Sequence, residues 1–136
     1  MYIYISGKIG ERVISPATRK KFMRYHKMIS DYGHTAFNPT SPGWQEYIQT
    51  WLKGRKNYLE KKGISDYAEV LRMDITRLTE CDAIYMLPDF IESPGAKAEH
   101  AFAIACGKQV FYDDELYRDG TLRGKCYEKN RFPPQK

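Results

Sequence analysis

The stretch Asp82 to Leu87 constrains the fold more than any other part of the chain. It is a nearly continuous apolar run, and such a run suits a strand buried on both faces of a parallel sheet. The flanking segments agree. Tyr2 to Ser6 is β-rich and alternating, which predicts a first strand. His34 to Phe37, stopped by Asn38-Pro39, predicts a second strand, and Gln109 to Tyr112 predicts a fourth. Helical patterns fill the intervals. Ser15-Pro16 reads as an N-cap followed by proline at the first helical position, Phe22, Tyr25, Ile29 and Tyr32 recur at helical spacing, and Gly33 closes the helix. Residues 40–43 read as a loop. Trp44, Tyr47, Ile48, Trp51, Leu52, Tyr58 and Leu59 then mark one helix face, interrupted by Arg55 and closed by Gly63. Asp66 with Glu69 resembles a capping box for a helix carrying Tyr67, Leu71, Ile75 and Leu78, with Asp74 beside that stripe. A small-residue helix from about Gly95 to Cys106 follows the apolar run. The tail beyond Asp113 is polar, basic and irregular in pattern.

Strands alternating with helices predict a three-layer α/β sandwich with a short parallel sheet of about four to five strands, flavodoxin- or Rossmann-like. The 136 residues suit one domain spanning 1–136, with an extra helical segment at about 44–65 and a basic tail at about 114–136. No apolar run approaches the ~20 residues of a membrane span, and the start lacks the basic lead of a signal peptide, so a cytoplasmic protein is expected. Cys81, Cys106 and Cys126 show no CxxC spacing, and His26, His34 and His100 are scattered. Neither a metal site nor a cofactor is expected. The net charge of +5 is uneven: residues 63–117 hold four Lys/Arg against eleven Asp/Glu, and the remainder eighteen against six. A basic face suits phosphorylated ligands, although solvated surface is the plainer reading. The acidic block and the lack of a nucleic-acid motif argue against a nucleic-acid partner.

In sheets of this kind ligands bind outside the carboxyl ends of the strands, at the switch point. That rule gathers Ser6-Gly7-Lys8, Asn38-Pro39 and the segment Asp89 to Glu99 into one candidate site. Glu99 shares its helix face with Ala96, Phe102, Ala103 and Cys106, and a carboxylate on such a stripe requires partners. It is either a ligand contact or a carboxylate favoured by the helix dipole. Ser93 and Gly95 sit where a strand hands over to a helix, so backbone N–H groups and a hydroxyl can hold a phosphate; an ordinary Ser-Pro-Gly helix entry is the alternative. Asp74 and Asp89 are candidates to bind a base or to give a proton to a departing ring. Ser6-Gly7-Lys8 lacks P-loop spacing and excludes that kind of ATPase, yet a glycine turn there can touch sugar or phosphate. The aromatic stripe at 44–59 reads as core or dimer contact, or as a lid.

Taken together, Tyr2-Ile3-Tyr4-Ile5-Ser6-Gly7-Lys8-Ile9, Asn38-Pro39 and the block from Met73 to Gly107 resemble the nucleoside 2-deoxyribosyltransferase superfamily. They are most similar to an uncharacterised, often phage-borne, branch of it. The resemblance implies a nucleophilic glutamate at Glu99, a second acid at Asp74, and a homo-oligomer such as a dimer. The transferases carry an aspartate six residues before the nucleophile, where this chain has Ser93. The branch that hydrolyses nucleoside 5′-monophosphates has Ser-x-Gly there and holds the 5′-phosphate with it. The expected activity is therefore cleavage or transfer of the N-glycosidic bond of a nucleotide or nucleoside, with Ser6, Gly7, Lys8, Asn38, Asp89, Ser93 and Gly95 lining the substrate. A non-catalytic nucleotide-sensing module of the same fold is the alternative. The 44–65 helix and the tail depart from the catalytic branches.

Overall fold

The computed structural model, which describes residues 1–10, 13–122 and 131–133, is a three-layer α/β sandwich. Its strands are β1 (Tyr2–Ser6), β2 (Thr35–Phe37), β3 (Ala83–Met86) and β4 (Gln109–Tyr112). They form one open sheet in the order β2-β1-β3-β4, and every neighbouring pair is parallel. The chain leaves β1 for β2 on one side and crosses back over it to β3. The switch point therefore lies between the carboxyl ends of β1 and β3, where Ser6 is in register with Met86.

Period-two alternation along the strands builds two cores. Ile3, Ile5, Tyr85, Leu87 and Phe111 face α1 (Pro16–Asp31) and pack on its Phe22, Tyr25 and Ile29. Tyr4, Phe37, Ile84, Met86, Val110 and Tyr112 face the other way. That second face is covered by α3 (Asp66–Thr79) through Leu78, by α4 (Pro94–Ala105) through Ala96 and Ala103, and by α5 (Asp114–Arg118) through Leu116. Each fully buried large side chain contributes about 1.5–3 kcal/mol. A helix α2 (Pro42–Lys62) precedes α3, and a 3-10 turn (Phe90–Glu92) links β3 to α4. Among the described residues no helix is long and apolar enough to cross a membrane.

Several sequence expectations are corrected. Residues 40–43 are not all loop: Ser41 is the N-cap of α2 and Pro42 its first residue. The cap of α3 is Ser65, whose side chain accepts from the Ala68 N–H, rather than Asp66 with Glu69. The buried face of α3 is consequently Glu69, Met73, Asp74 and Leu78, while Tyr67 stands in solvent. Tyr32 is likewise exposed, as is Cys106 at the end of α4. The chain after Asp113 is not irregular at once, because the Asp113 side chain caps α5 and Leu116 is buried. Cys126 and the tail stretches 123–130 and 134–136 lie outside the described residues.

Candidate active site

The alternation that sends Tyr4 and Ser6 to the same face of β1 brings both hydroxyls beneath α4. There they meet Glu99. The Tyr4 hydroxyl donates to Oε2 at 2.5 Å and the Ser6 hydroxyl donates to Oε1 at 2.7 Å. Both distances fall in the range of hydrogen bonds to a charged oxygen. Glu99 is buried, with 6% of its surface exposed. Asp74 is buried beside it on α3, at 9% exposure, and its Oδ1 accepts from the Trp44 indole N–H at 2.9 Å. Trp44 stands at the start of α2 and packs edge-on against Phe37, whose ring stacks on Tyr4. The first turn of α2 thus folds over the carboxylate pair.

Burial sets the electrostatics. It pushes the Glu99 carboxyl from an ordinary 4.5 up to about 8, reinforced by the charge of Asp74 and opposed by the Tyr4 and Ser6 hydroxyls. It pushes Asp74 from 3.8 up to about 7, opposed by Trp44. Two buried carboxyls that repel each other retain about one proton between them near neutral pH. The Tyr4 hydroxyl is held far above its usual range by burial, and so remains a donor.

The other predicted residues divide into two groups. Ser93 is the N-cap of α4, its Oγ accepting from the Ala96 N–H at 3.1 Å. Pro94 has no N–H and the Lys97 N–H bonds the Ser93 carbonyl, so helix geometry leaves the Gly95 N–H without an intrahelical acceptor. Both residues lie on the helix that carries Glu99. A Cβ on Gly95 would come within 2.9 Å of the Tyr67 hydroxyl.

The second group is a clamp. Asp89 accepts from the Lys8 N–H at 3.0 Å and from Lys21 Nζ at 2.6 Å, and Lys21 also donates to the Lys8 carbonyl. Both Asp89 oxygens are therefore engaged in tying the turn after β1 to α1. Gly7 is required by packing, since a Cβ there would meet the Leu87 side chain at 2.6–2.9 Å. Asn38 is buried beyond β2, and its Oδ1 accepts from both the N–H and the hydroxyl of Thr40. Its Nδ2 is buried with no hydrogen-bond partner among the described residues.

Sequence reasoning passed over three contributors. Tyr4 reads as core, although its period-two relation to Ser6 was the available signal. The sequence marks Trp44 only as part of an aromatic stripe. Glu69, taken as a capping residue, is buried and receives hydrogen bonds from Arg72 at 2.7 and 2.9 Å and from the Trp51 indole at 2.7 Å, with Arg55 at 3.3 Å. It pins α2 to α3 and thereby sets the position of Trp44.

A family profile described as domain of unknown function (DUF4406) matches residues 1–112. That span contains all four strands and every residue of the candidate site. No curated protein and no solved structure matches the chain.

Proposed function

This chain belongs to the DUF4406 family, and on that premise we propose that it cleaves or transfers the N-glycosidic bond of a nucleoside 5′-monophosphate, with Glu99 as the nucleophile. The observation that carries the reading is the placement of Glu99. It is a carboxylate buried at the carboxyl end of β1, at the sheet's switch point, with both oxygens oriented by hydroxyls. A nucleophile held in one orientation is what attack on an anomeric carbon needs. The likeness to the nucleoside 2-deoxyribosyltransferase superfamily, and to its monophosphate-hydrolysing branch at Ser93 and Gly95, supplies the choice of substrate.

In this reading the 5′-phosphate sits at the start of α4, on the Ser93 hydroxyl and the Gly95 N–H, where the helix dipole favours an anion. Helical side chains lean toward the N-terminus, so Glu99 reaches back toward that phosphate. The six-residue separation is a rise of roughly 9 Å, which leaves room for a pentose between them. A Glu99 oxygen attacks C1′ and forms a glycosyl ester as the C1′–N bond breaks. The bonding pair leaves on the base nitrogen, which takes the proton of Asp74. Water or an acceptor base then attacks C1′, gives its proton to the now ionised Asp74, and releases Glu99 as the carboxylate. Glu99, at about 8, holds the pair's shared proton more tightly than Asp74 at about 7, so attack requires that proton to pass to Asp74. The Tyr4 and Ser6 hydroxyls stabilise the negative charge this leaves on Glu99.

A second reading, a nucleotide-binding module without turnover, is favoured by the closure of the site. Glu99 and Asp74 are almost fully covered and Trp44 lies across Asp74. Incubation with a panel of nucleosides and their 5′-monophosphates, followed by chromatography for free base, separates the two. Base from a monophosphate, released faster than from the matching nucleoside, is the expected result. No base, together with a nucleotide-dependent rise in melting temperature, identifies the sensing module. Neither base nor a rise excludes both.

A further inference from the structure

Between the first half of α2 and the second half of α3 lies a groove of about 620 Å³ that the proposed reaction does not use. One wall is aromatic. Trp44, Tyr47 and Trp51 follow at helical spacing, with successive ring planes 17° and 21° apart and centroids 5.4 and 6.4 Å apart. Trp44 packs on the core and Trp51 donates to Glu69, whereas Tyr47 between them is 54% exposed and belongs to neither arrangement. The opposite wall carries Arg72 and Arg77.

Arg77 places its guanidinium 5.5 Å from the ring centres of both Phe37 and Trp44. Its Nη1 meets Glu80 at 3.2 Å, and its Nε is buried with no hydrogen-bond partner among the described residues. Arg72 directs Nε and Nη2 to Glu69. A guanidinium has five N–H donors, so both retain capacity toward a further acceptor, although Glu69 and Glu80 offset part of their charge.

We infer that this groove is a binding site for a nucleobase bearing phosphate, with the base against Trp44, Tyr47 and Trp51 and the phosphate on Arg77 and Arg72. The three rings stack on one another, and Arg77 and Arg55 lie over Trp44 and Trp51. The wall therefore presents ring edges, and the π face of any base can meet those edges in a T-shaped contact. Guanidinium forks match phosphate oxygens and also stack on rings. The volume falls within the ~300–1,000 Å³ of small-ligand sites. Trp44 separates the groove from the carboxylate pair, because its indole N–H is directed at Asp74. The inference does not depend on the reaction proposed for Glu99.

The chain has two tryptophans, Trp44 and Trp51, and both line the groove, so intrinsic fluorescence responds to its occupancy. Trp44 also touches Asp74, and the groove variants below assign the signal. The probes are adenosine, cytidine, their 5′-monophosphates, inorganic phosphate and a short oligothymidylate. Saturable quenching by a monophosphate is expected, with weaker binding of the nucleoside and none by phosphate alone. Tyr47→Ala, a change at an exposed position, weakens binding by about fivefold or more. Arg77→Gln removes the preference for the monophosphate. Tyr47 and Arg77 line the groove and lie outside the set proposed to hold substrate at Glu99, so their effects assign the quenching to the groove rather than to the reaction centre. Tighter binding of the oligothymidylate than of the mononucleotides assigns the same chemistry to a single strand, and the reverse assigns it to a free nucleotide. Absence of saturable quenching by every base-bearing probe overturns the inference, as does a Tyr47→Ala titration equal to that of the unchanged protein.

Discussion

Replacing Glu99 by glutamine tests the electrostatics of the buried pair without reference to any substrate. Glutamine keeps the shape, accepts from one hydroxyl and donates to the other, and cannot ionise. In the native protein the Glu99 carboxyl is raised from 4.5 to about 8, first by burial and then by Asp74. A raised carboxyl holds its proton in the folded state at a pH where the unfolded chain has lost it. Folded stability from this group therefore falls as pH rises from about 4.5 through about 8. Each unit of displacement corresponds to about 1.4 kcal/mol, which sets a ceiling of about 4–5 kcal/mol, and relaxation around the charge reduces it to about 2–4 kcal/mol. Urea denaturation of both proteins at about pH 5 and about pH 9 isolates Glu99 together with its coupling to Asp74, because titrations of groups not coupled to Glu99 cancel in the double difference. Glu99→Gln is expected to lie within about 1 kcal/mol of the native protein at the lower pH and to be about 2–4 kcal/mol more stable at the higher. An equal stability difference at the two pH values refutes the reasoning.

Other perturbations probe the parts that position the pair. Gly7→Ala drives a Cβ into Leu87 at 2.6–2.9 Å, and a loss of about 1–3 kcal/mol is expected in chemical denaturation. Gly95→Ala meets only the hydroxyl end of an exposed tyrosine at 2.9 Å, so its melting temperature is expected to stay close to native. Glu69 is lowered to about 2, chiefly by its hydrogen bonds from Arg72, so its contribution is present above about 4.5 and is lost as pH falls toward 2. Glu69→Gln is expected to lower stability by about 1–3 kcal/mol at neutral pH, and denaturation curves should show that deficit shrinking as the solution is acidified. Trp44→Phe removes the hydrogen bond that holds Asp74 down. The basic limb of a pH–rate profile for base release is expected to move to higher pH.

Where local signals are strong, sequence and structure agree. The apolar alternation of β1, the Ser15-Pro16 cap of α1 and the Gly107 turn before β4 each depend on a few neighbouring residues, and all appear where the pattern puts them. Glu99 was legible for the same reason, because a lone carboxylate on a small-residue stripe must find partners. What escaped depends on distant contacts. Thr-Ser-Pro-Gly at 40–43 serves equally as a loop or as a helix start. The packing of Trp44 on Phe37 accompanies the second outcome. The burial of Glu69 rests on Arg72, Trp51 and Arg55, two of them on another helix, and spacing within α3 carries no trace of them. Ser93 and Asp89 show the opposite case. Their residue types suggested ligand contacts, and the structure gives each a protein partner first, a local helix cap for Ser93 and a clamp from the sequence-distant Lys8 and Lys21 for Asp89.

The measurement that bears most directly on the central claim is the rate of base release from a nucleoside 5′-monophosphate by the Glu99→Gln protein relative to the native one. Loss of the nucleophile is expected to reduce that rate by about a thousandfold or more while the nucleotide still binds. A variant that releases base within about tenfold of the native rate contradicts the assignment of Glu99 to the reacting carbon.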